Sequence, residues 1–247
     1  DRILKLMLPA LFGVSVTQIN LLLNTIWASF MQDGSVSWLY SAERMTELPL
    51  GLIGVAIGTV ILPSLSARHA EQDQAKFRSM IDWAARIIML VGIPASIALF
   101  MLSTPIIQAL FQRGEFTVED THMTALALQC MSAGVISFML IKVFAPGFYA
   151  QQDTKTPVRV GLMAVAANAI INVILISFFK MIHWNAEHMA LGIASSSSAF
   201  VNAGMLYYYL HKRNIYRFGS HWKKIFAQYA FANLCMIGAL AYGLHFY

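Results

Sequence analysis

The sequence has few charged residues and almost no cysteine. Of its 247 residues, 12% are Asp, Glu, Lys or Arg, 58% are apolar, and two are cysteines. An ordinary soluble domain contains about a quarter charged residues. The shortage of charge excludes a disordered tail and nearly every soluble enzyme fold, and the shortage of cysteine excludes a disulfide scaffold. The composition indicates an integral membrane protein.

Motifs for catalysis and for metal binding are also absent from the sequence. It has no G-x-S-x-G, H-E-x-x-H, P-loop or aspartate-rich Mg²⁺ motif, and no Cys/His spacing suited to zinc. The basic residues are scattered over connecting segments and form no aromatic-interleaved face for nucleic acid. We therefore predict that the chain is not an enzyme, has no cofactor or bound metal, and does not bind nucleic acid.

The apolar residues occur in long runs separated by polar connectors. A helix needs about 20 apolar residues to cross the hydrocarbon layer, and none of these runs alternates like a β-barrel strand. The sequence predicts an all-α polytopic membrane protein, a single transmembrane region over residues 1–247, with an interfacial helix at 70–83. Its seven predicted transmembrane helices are 6–30, 37–65, 84–111, 123–145, 158–179, 189–210 and 225–247.

The lysines and arginines predict the orientation of these spans. If the spans alternate in direction, all but three of the 17 basic residues lie on one side, and the exceptions are Arg44, Arg113 and Lys180. Cytoplasmic loops are enriched in Lys and Arg, and they face anionic membrane lipids. We expect a cytoplasmic N-terminus and a C-terminus on the opposite side. The chain begins Asp-Arg-Ile-Leu-Lys and is expected to be an internal piece of a longer protein.

The second predicted span contains the most informative polar residues. Several of its positions alternate steps of three and four residues, which places them along one face of an α-helix. They are Ser37, Tyr40, Arg44, Glu47, Gly51, Gly54 and Gly58. An ionisable side chain within a span usually faces a cavity or a partner. The second span is therefore predicted to present one polar face.

Two interpretations of this face stay open on the residues alone. In the first, Arg44 pairs with Glu43 and Glu47 near the membrane surface, and the glycines allow close helix packing of the Gly-x-x-x-Gly kind. In the second, the face lines a polar cavity in which Arg44 offers its planar guanidinium to a phosphate or carboxylate. The glutamates then hold the guanidinium in place and keep it from binding anions too tightly.

Amide side chains form a weaker pattern inside other spans. Asn24 lies in the first span, and Asn168 and Asn172 are one turn apart in the fifth. Hydrogen bonding between helices is the default explanation for such residues. The alternative is a cation site built from amide oxygens, which would hold Na⁺ weakly because it lacks a carboxylate.

Three stretches of the sequence resemble the MurJ (MviN) family of lipid II flippases. The longest is YSAERMTELPLGLIGVAIGTVILPSLS at residues 40–66, and the second is KVFAPGFYAQQDTKTP at residues 142–157. The third begins with PALFG at 9–13 and continues through QIN at 18–20 and NTI at 24–26. The similarity extends over essentially the whole chain.

The resemblance implies a fold and an activity. Family members have fourteen spans in two bundles of the multidrug/oligosaccharidyl-lipid/polysaccharide exporter type, and the chain is expected to be the C-terminal portion, the seventh to thirteenth spans. They move lipid II, the undecaprenyl-diphosphate-linked peptidoglycan precursor, from the cytoplasmic to the periplasmic leaflet of the bacterial inner membrane by alternating access. The expected partners are lipid II, membrane lipids and the missing N-terminal half of the same protein.

The resemblance also implies site residues. Arg44 matches the family's cavity arginine, which is expected to engage the diphosphate or the sugar-peptide head group. Glu43 and Glu47 match acidic positions beside it, and Ser37 lies on the same cavity face. The partner arginines of the first two family spans belong to the missing half, so the chain is expected to hold part of the substrate site.

One departure from the family concerns the cation site. Some members use a Na⁺ site with a carboxylate at positions that correspond to Asn24, Asn168 and Asn172. All three are amides here. The departure argues against Na⁺ coupling and leaves the membrane potential or protons as the driving force.

Other functions stay compatible with the sequence. A related drug/cation antiporter or another polysaccharide-lipid flippase would share the fold. A non-transporting scaffold for cell-wall synthesis has no use for a cavity cation, so replacing Arg44 by alanine would be harmless to it. An enzyme acting on polyprenyl diphosphates ranks behind these alternatives.

Overall fold

The computed structural model describes residues 18–182 and 186–245, and within them all regular structure is helical. Helix α1 includes residues 18–29. A π-helical turn, Leu50–Val55, joins α2 to α3. The remaining helices are α2 (Ser35–Pro49), α3 (Ala56–Ala70), α4 (Gln74–Met101), α5 (Ser103–Phe111), α6 (Val118–Ser132), α7 (Val135–Tyr149), α8 (Lys155–Met181), α9 (Met189–Lys212) and α10 (Trp222–His245).

Six described segments are long and apolar enough to cross a membrane. They are α2 with α3, α4, α6 with α7, α8, α9 and α10. The prediction of an all-α polytopic membrane protein is therefore confirmed. The first predicted span, 6–30, begins outside the described residues, and its described part includes α1.

Two predicted spans are divided in the structure. The span 84–111 is interrupted at Leu102 between α4 and α5, and Pro105 lies in the first turn of α5, where a backbone N–H is not needed. The span 123–145 is interrupted at Ala133 and Gly134 between α6 and α7. Each is thus a pair of helices rather than one continuous rod.

The segment 70–83 differs from the predicted separate helix. Ala70 ends α3, and after a short turn the Asp73 carboxylate caps α4 by accepting a backbone N–H of its first turn at 3.0 Å. Buried side chains from Phe77 to Ile88 follow one face of α4 without interruption. Residues 74–83 are therefore the first turns of a long helix, and their place at the membrane surface stays a prediction.

Helices α6, α7 and α9 form the centre of the molecule. Helix α9 packs against α6, α7 and α8, and α4 packs against α6 and α7. Small residues permit the close contacts: a Cβ on Gly134 would lie 2.9 Å from Cα of Ser196, and a Cβ on Gly192 would lie 2.9 Å from Cβ of Cys130. Membrane helices associate through such small residues because these let backbones approach closely.

A buried carboxylate on α4 anchors the start of α10. Asp82 accepts hydrogen bonds from the Tyr216 hydroxyl at 2.8 Å and from the Trp222 indole N–H at 2.5 Å, and it pairs with Arg86. Burial and the hydrogen bond to the Asp82 carboxylate raise the pKa of Tyr216, so its hydroxyl stays protonated and donates. Spacing along the sequence does not reveal this cluster, because Tyr216 and Trp222 are 134 and 140 positions away from Asp82.

Candidate functional site

A cavity of about 550 Å³ lies between α1 and α2. Met131 of α6 and Leu191 of α9 contribute apolar surface to it. The polar side chains that line it include Asn24, Ser35, Ser37, Tyr40, Glu43 and Ser195. Ser37 and Glu43, two of the predicted binding residues, therefore share one cavity wall.

The described lining of this cavity is acidic. Asp33 and Glu43 contribute carboxyl groups, and the lining contains no Lys or Arg among the described residues. Ser35 is 1% exposed, and its hydroxyl has no hydrogen-bond partner in the described part of the chain. The cavity therefore offers hydroxyl, amide and carboxyl groups, a set suited to a neutral or cationic polar group rather than to an anion.

Arg44 belongs to the same helix as Tyr40 and Glu43 but is not among the described residues that line the cavity. Its guanidinium donates to the Tyr40 hydroxyl at 2.5 Å, stacks over that ring at 4.9 Å, and pairs with Glu47 at 3.3 Å. The side chains of Arg44 and Glu47 are each 56% exposed. An ion pair this exposed is weak, so the guanidinium can exchange Glu47 for another oxyanion.

The acidic partners of Arg44 divide between two places. Glu47 contacts the guanidinium, whereas Glu43 faces the cavity. Tyr40 links the cavity to the guanidinium, because it lines the cavity and its hydroxyl accepts a hydrogen bond from Arg44. The structure thus brings Ser37, Glu43, Arg44 and Glu47 to one helix segment, with Arg44 and Glu47 outside the described cavity lining.

The predicted polar face of the second span does not continue past the π turn. Residues 37, 40, 44, 47 and 51 are exposed, as one helix face requires. Gly54 is instead buried against Met139, and a Cβ on Gly58 would lie 3.8 Å from Lys142 of α7. The π turn rotates the following residues, since it places more residues in a turn than an α-helix does. The two C-terminal glycines therefore belong to a packing surface.

The three predicted amide residues meet in the structure. Asn172 donates its Nδ2 to Oδ1 of Asn24 at 3.2 Å and to Oδ1 of Asn168 at 2.9 Å. Asn24 donates in turn to the Ser195 hydroxyl at 3.0 Å. All four side chains are buried. The cluster connects α1, α8 and α9, and Ser195, a polar residue of the sixth predicted span, completes it.

The amide groups of this cluster bind mostly to one another. The Asn172 side-chain NH₂ group donates hydrogen bonds to the side-chain oxygens of Asn24 and Asn168. Oδ1 of Asn172 and Nδ2 of Asn168 have no hydrogen-bond partner among the described residues. The orientation of an Asn amide is assigned from such hydrogen bonds. In this arrangement the oxygens of Asn24 and Asn168 converge on an amide donor, Nδ2 of Asn172, which stands where a cation would be bound.

Comparison with known proteins identifies the family. A family model described as lipid II flippase MurJ matches residues 1–247. A probable lipid II flippase MurJ from Vibrio cholerae serotype O1 is 45% identical over 243 residues, and the match covers 98% of this chain and 45% of the relative. The chain therefore spans about half the length of the curated relatives it matches.

Solved structures agree with this assignment. A lipid II flippase MurJ in an inward closed conformation superposes with a TM-score of 0.78 at 27% identity, covering 96% of this chain and 47% of that chain. A MOP superfamily transporter from Pyrococcus furiosus gives a TM-score of 0.68 at 16% identity, covering 97% and 52%. The second likeness shows the fold alone. The chain belongs to the lipid II flippase MurJ family.

Proposed function

We propose that the full-length protein containing this chain is a lipid II flippase. It moves the undecaprenyl-diphosphate-linked peptidoglycan precursor from the cytoplasmic to the periplasmic leaflet by alternating access. The main supporting observation is an exposed, loosely held arginine directly beside a polar cavity: Arg44 binds Tyr40, and Tyr40 lines the cavity. The relatives named as lipid II flippases support the same substrate.

The diphosphate of the substrate binds Arg44 in this proposal. A planar guanidinium matches two oxygens of a phosphate at once, and charge-assisted hydrogen bonds of this kind are the stronger ones. The exposed contact with Glu47 at 3.3 Å is the one that the phosphate displaces. Arginines from the missing N-terminal half supply the remaining positive charge.

The sugar-peptide part of the head group enters the acidic cavity. Glu43 and Asp33 repel the diphosphate from it, while hydroxyl and amide groups on α1 and α2 bind sugar hydroxyls and peptide amides. A peptide ammonium group is attracted by the Glu43 carboxyl. The cavity and Arg44 therefore bind different parts of one substrate.

The membrane arrangement in this proposal follows the charge distribution. The protein lies in the bacterial inner membrane, with the N-terminus of this chain in the cytoplasm and its C-terminus in the periplasm. The chain is the C-terminal portion, and the N-terminal half completes the substrate site. The protein transports lipid II without chemical change and is not an enzyme.

The amide cluster is a second candidate site, for a cation. Asn24, Asn168 and Asn172 are close enough for their oxygens to share one ion if the Asn172 amide turns over. Neutral oxygens hold Na⁺ weakly, so we propose that in this protein the cluster mainly joins α1, α8 and α9. The membrane potential or protons then drive transport.

Complementation of a flippase-depleted bacterium by the full-length protein tests the proposed function. We expect Arg44→Ala and Arg44→Lys to fail at normal membrane levels, the latter because lysine lacks the fork that binds two oxygens. Arg68→Ala is the matched control, since Arg68 also forms an exposed i,i+3 pair, with Glu71 at 2.8 Å. Growth supported by Arg44→Ala would contradict the site assignment and favour the scaffold.

A drug/cation antiporter is the second candidate, because an acidic cavity attracts cations. It predicts that loss of the protein raises sensitivity to cationic drugs without trapping lipid II in the cytoplasmic leaflet. Leaflet-specific measurement of lipid II after depletion separates the two functions. Accumulation in the inner leaflet supports the flippase, and normal distribution with drug sensitivity supports the antiporter.

A further inference from the structure

The span that contains Arg44 is interrupted by the π turn Leu50–Val55. Pro49 precedes the turn, and a proline removes one helical hydrogen bond and clashes with the carbonyl four residues earlier. Gly51 and Gly54 lie inside the turn, where their missing side chains tolerate an altered backbone. Single π turns within α-helices are frequent at functional sites. The interruption therefore calls for an explanation beyond packing.

The π turn offsets the buried faces of the two helices that it joins. The buried side chains are Trp38, Ala42 and Met45 in α2, and Ile57, Ile61 and Leu65 in α3. Extending the α-helical repeat of α2 would place the buried positions of α3 about one residue earlier in the sequence. A π turn closes its hydrogen bond one residue further along the chain than an α turn, which accounts for the offset.

The two helices on either side of the turn pack against different neighbours. Helix α2 packs on α6, where the Trp38 indole N–H donates to Asp120 at 2.7 Å. Helix α3 packs on α4 and α7. Helices α6 and α7 are also the two halves of an interrupted span. The half of the second span before the π turn, α2, therefore packs on α6, and the half after it, α3, packs on α7. The contacts thus separate into two groups on either side of the π turn.

One side of the π turn is open, and the other side packs on α7. Of its six residues, Gly54 is buried and the others are partly or fully exposed, with Leu52 at 76%. A Cβ built on Gly51 has no heavy atom within 4 Å among the described residues. The open side at Gly51 leaves room for a change in backbone angle, whereas the contact with α7 and the buried faces of the flanking helices hold the remaining residues.

We propose that the π turn is a joint about which α2, with Arg44, tilts against α3 during transport, and that Gly51 supplies its freedom. This inference rests on the proposed flippase function. A hinge at a few residues lets a cavity wall change its tilt while the rest of a bundle stays packed. Helix α3 stays fixed on α4 and α7, and α2 moves the substrate-binding residues.

Substitution of Gly51 by alanine in the full-length protein tests the joint. Within this chain a Cβ on Gly51 meets no heavy atom within 4 Å, and alanine removes backbone freedom. We expect unchanged lipid II binding and a flipping rate lowered by about threefold or more. Gly204→Ala is the control, because Gly204 lies within α9 and a Cβ there also has no heavy atom within 4 Å in the described chain. A wild-type flipping rate in Gly51→Ala overturns the proposal.

A second variant and a distance measurement separate this inference from the proposed function. Deletion of Leu52 turns the π turn into an α turn while it keeps both buried faces in register. Spin labels at Val36 and Met181, both exposed, report the tilt of α2 relative to α8. We expect two distances in the wild type and one in the deletion variant. A single wild-type distance overturns the joint, whatever the substrate proves to be.

Discussion

Arg44 is held by contacts that suit repeated binding and release. Its partners Tyr40 and Glu47 belong to the same helix, at positions i−4 and i+3, so they orient the guanidinium wherever α2 moves. Both contacts are exposed, and exposed ion pairs are weak. In the proposed function, a diphosphate can therefore replace Glu47 at a small cost in free energy. A deeply buried pair would resist this exchange.

The amide cluster gives the first residue-level prediction. Asn172→Asp places a carboxylate between the oxygens of Asn24 and Asn168, and burying this charge lowers the free energy of unfolding by about 2 kcal/mol. Sodium should restore the loss, because it neutralises the carboxylate and binds the folded state alone. Thermal unfolding in NaCl and in choline chloride at equal ionic strength measures the effect.

The wild-type protein should unfold at the same temperature in both salts. Asn233→Asp serves as the control, since Asn233 is buried in α10 and its amide donates to the Tyr229 carbonyl. A sodium response in the wild type would show that the neutral amides already form a Na⁺ site.

A second residue-level prediction concerns pH. Burial opposes ionisation of Asp153, but hydrogen bonds from Thr156 and Arg213 outweigh it and lower the pKa of the carboxyl. Its stabilising effect is therefore present above the unfolded pKa, about 4, and is lost as the pH falls through the lower folded value. Asp153→Asn should lower the free energy of unfolding by about 1 kcal/mol at pH 7, because a neutral amide loses the charge-assisted hydrogen bond from Arg213.

Urea unfolding of both proteins between pH 7 and pH 3 measures this difference. The gap between Asp153→Asn and the wild type should narrow below about pH 4. Glu115→Gln is the control, because Glu115 lies in the exposed loop before α6 and should show no such gap. A difference that stays constant over the whole range would contradict a charge-dependent role for Asp153.

Among the helices, hydropathy predicts the spans well and their interruptions poorly. Apolar runs locate the helices because every backbone group must find a partner inside the membrane. The π turn escapes this reasoning, since its residues Leu50–Val55 are as apolar as an ordinary span. Pro49 signals a disturbance, but the resulting rotation depends on packing against Met139 of α7. Helix periodicity therefore predicts the exposed face that carries Arg44 correctly. It wrongly places Gly54 and Gly58, which follow the start of the π turn, on that same face.

Distant polar contacts are the other feature that the sequence leaves hidden. The amide cluster was predicted in part, because Asn168 and Asn172 are one helical turn apart. The contact of Ser195 with Asn24 and the Asp82 cluster were not predicted, because the partners lie on different helices, 171 and 134 to 140 positions apart. Spacing along one helix is visible in a sequence, whereas proximity between helices is not.

The anchoring of α10 gives a prediction at the level of helices. Helix α10 packs chiefly on α4, and the Trp222 indole donates to Asp82 at 2.5 Å. Trp222→Phe keeps the ring but leaves a buried carboxylate short of one donor, which should lower the free energy of unfolding by about 1–3 kcal/mol. Limited proteolysis at the loop between α9 and α10 should become faster than in the wild type.

Trp83→Phe is the matched control, because Trp83 follows Asp82 on α4 and is 49% exposed. Its substitution should change stability by less than about 0.5 kcal/mol. Equal effects of the two substitutions would mean that the indole hydrogen bond to Asp82 does not hold α10 in place.

For the whole molecule, the interrupted spans and the charge distribution point to one arrangement. Arg44 lies in α2, before the π turn, whereas the clusters around Asp82 and Asp153 lie near the opposite ends of their spans. Arg86 belongs to the Asp82 cluster and Arg213 to the Asp153 cluster, and the connecting segments near them contain lysines. The end with many basic residues is thus fixed by ion pairs, and the end that bears the cavity has the looser contacts. If the protein is the proposed flippase, we expect the motion during transport to occur mainly at the cavity end.

The orientation of the chain is the last prediction. If Lys and Arg mark the cytoplasmic side, the loop between α5 and α6 lies in the periplasm and the turn between α3 and α4 lies in the cytoplasm. Single cysteines replacing Glu115 and Gln72, both exposed, test this in a cysteine-free full-length protein. A membrane-impermeant maleimide applied to cells with a permeabilised outer membrane should label position 115. Position 72 should react only after the inner membrane is opened, and the reverse pattern would invert the proposed direction of transport relative to Arg44.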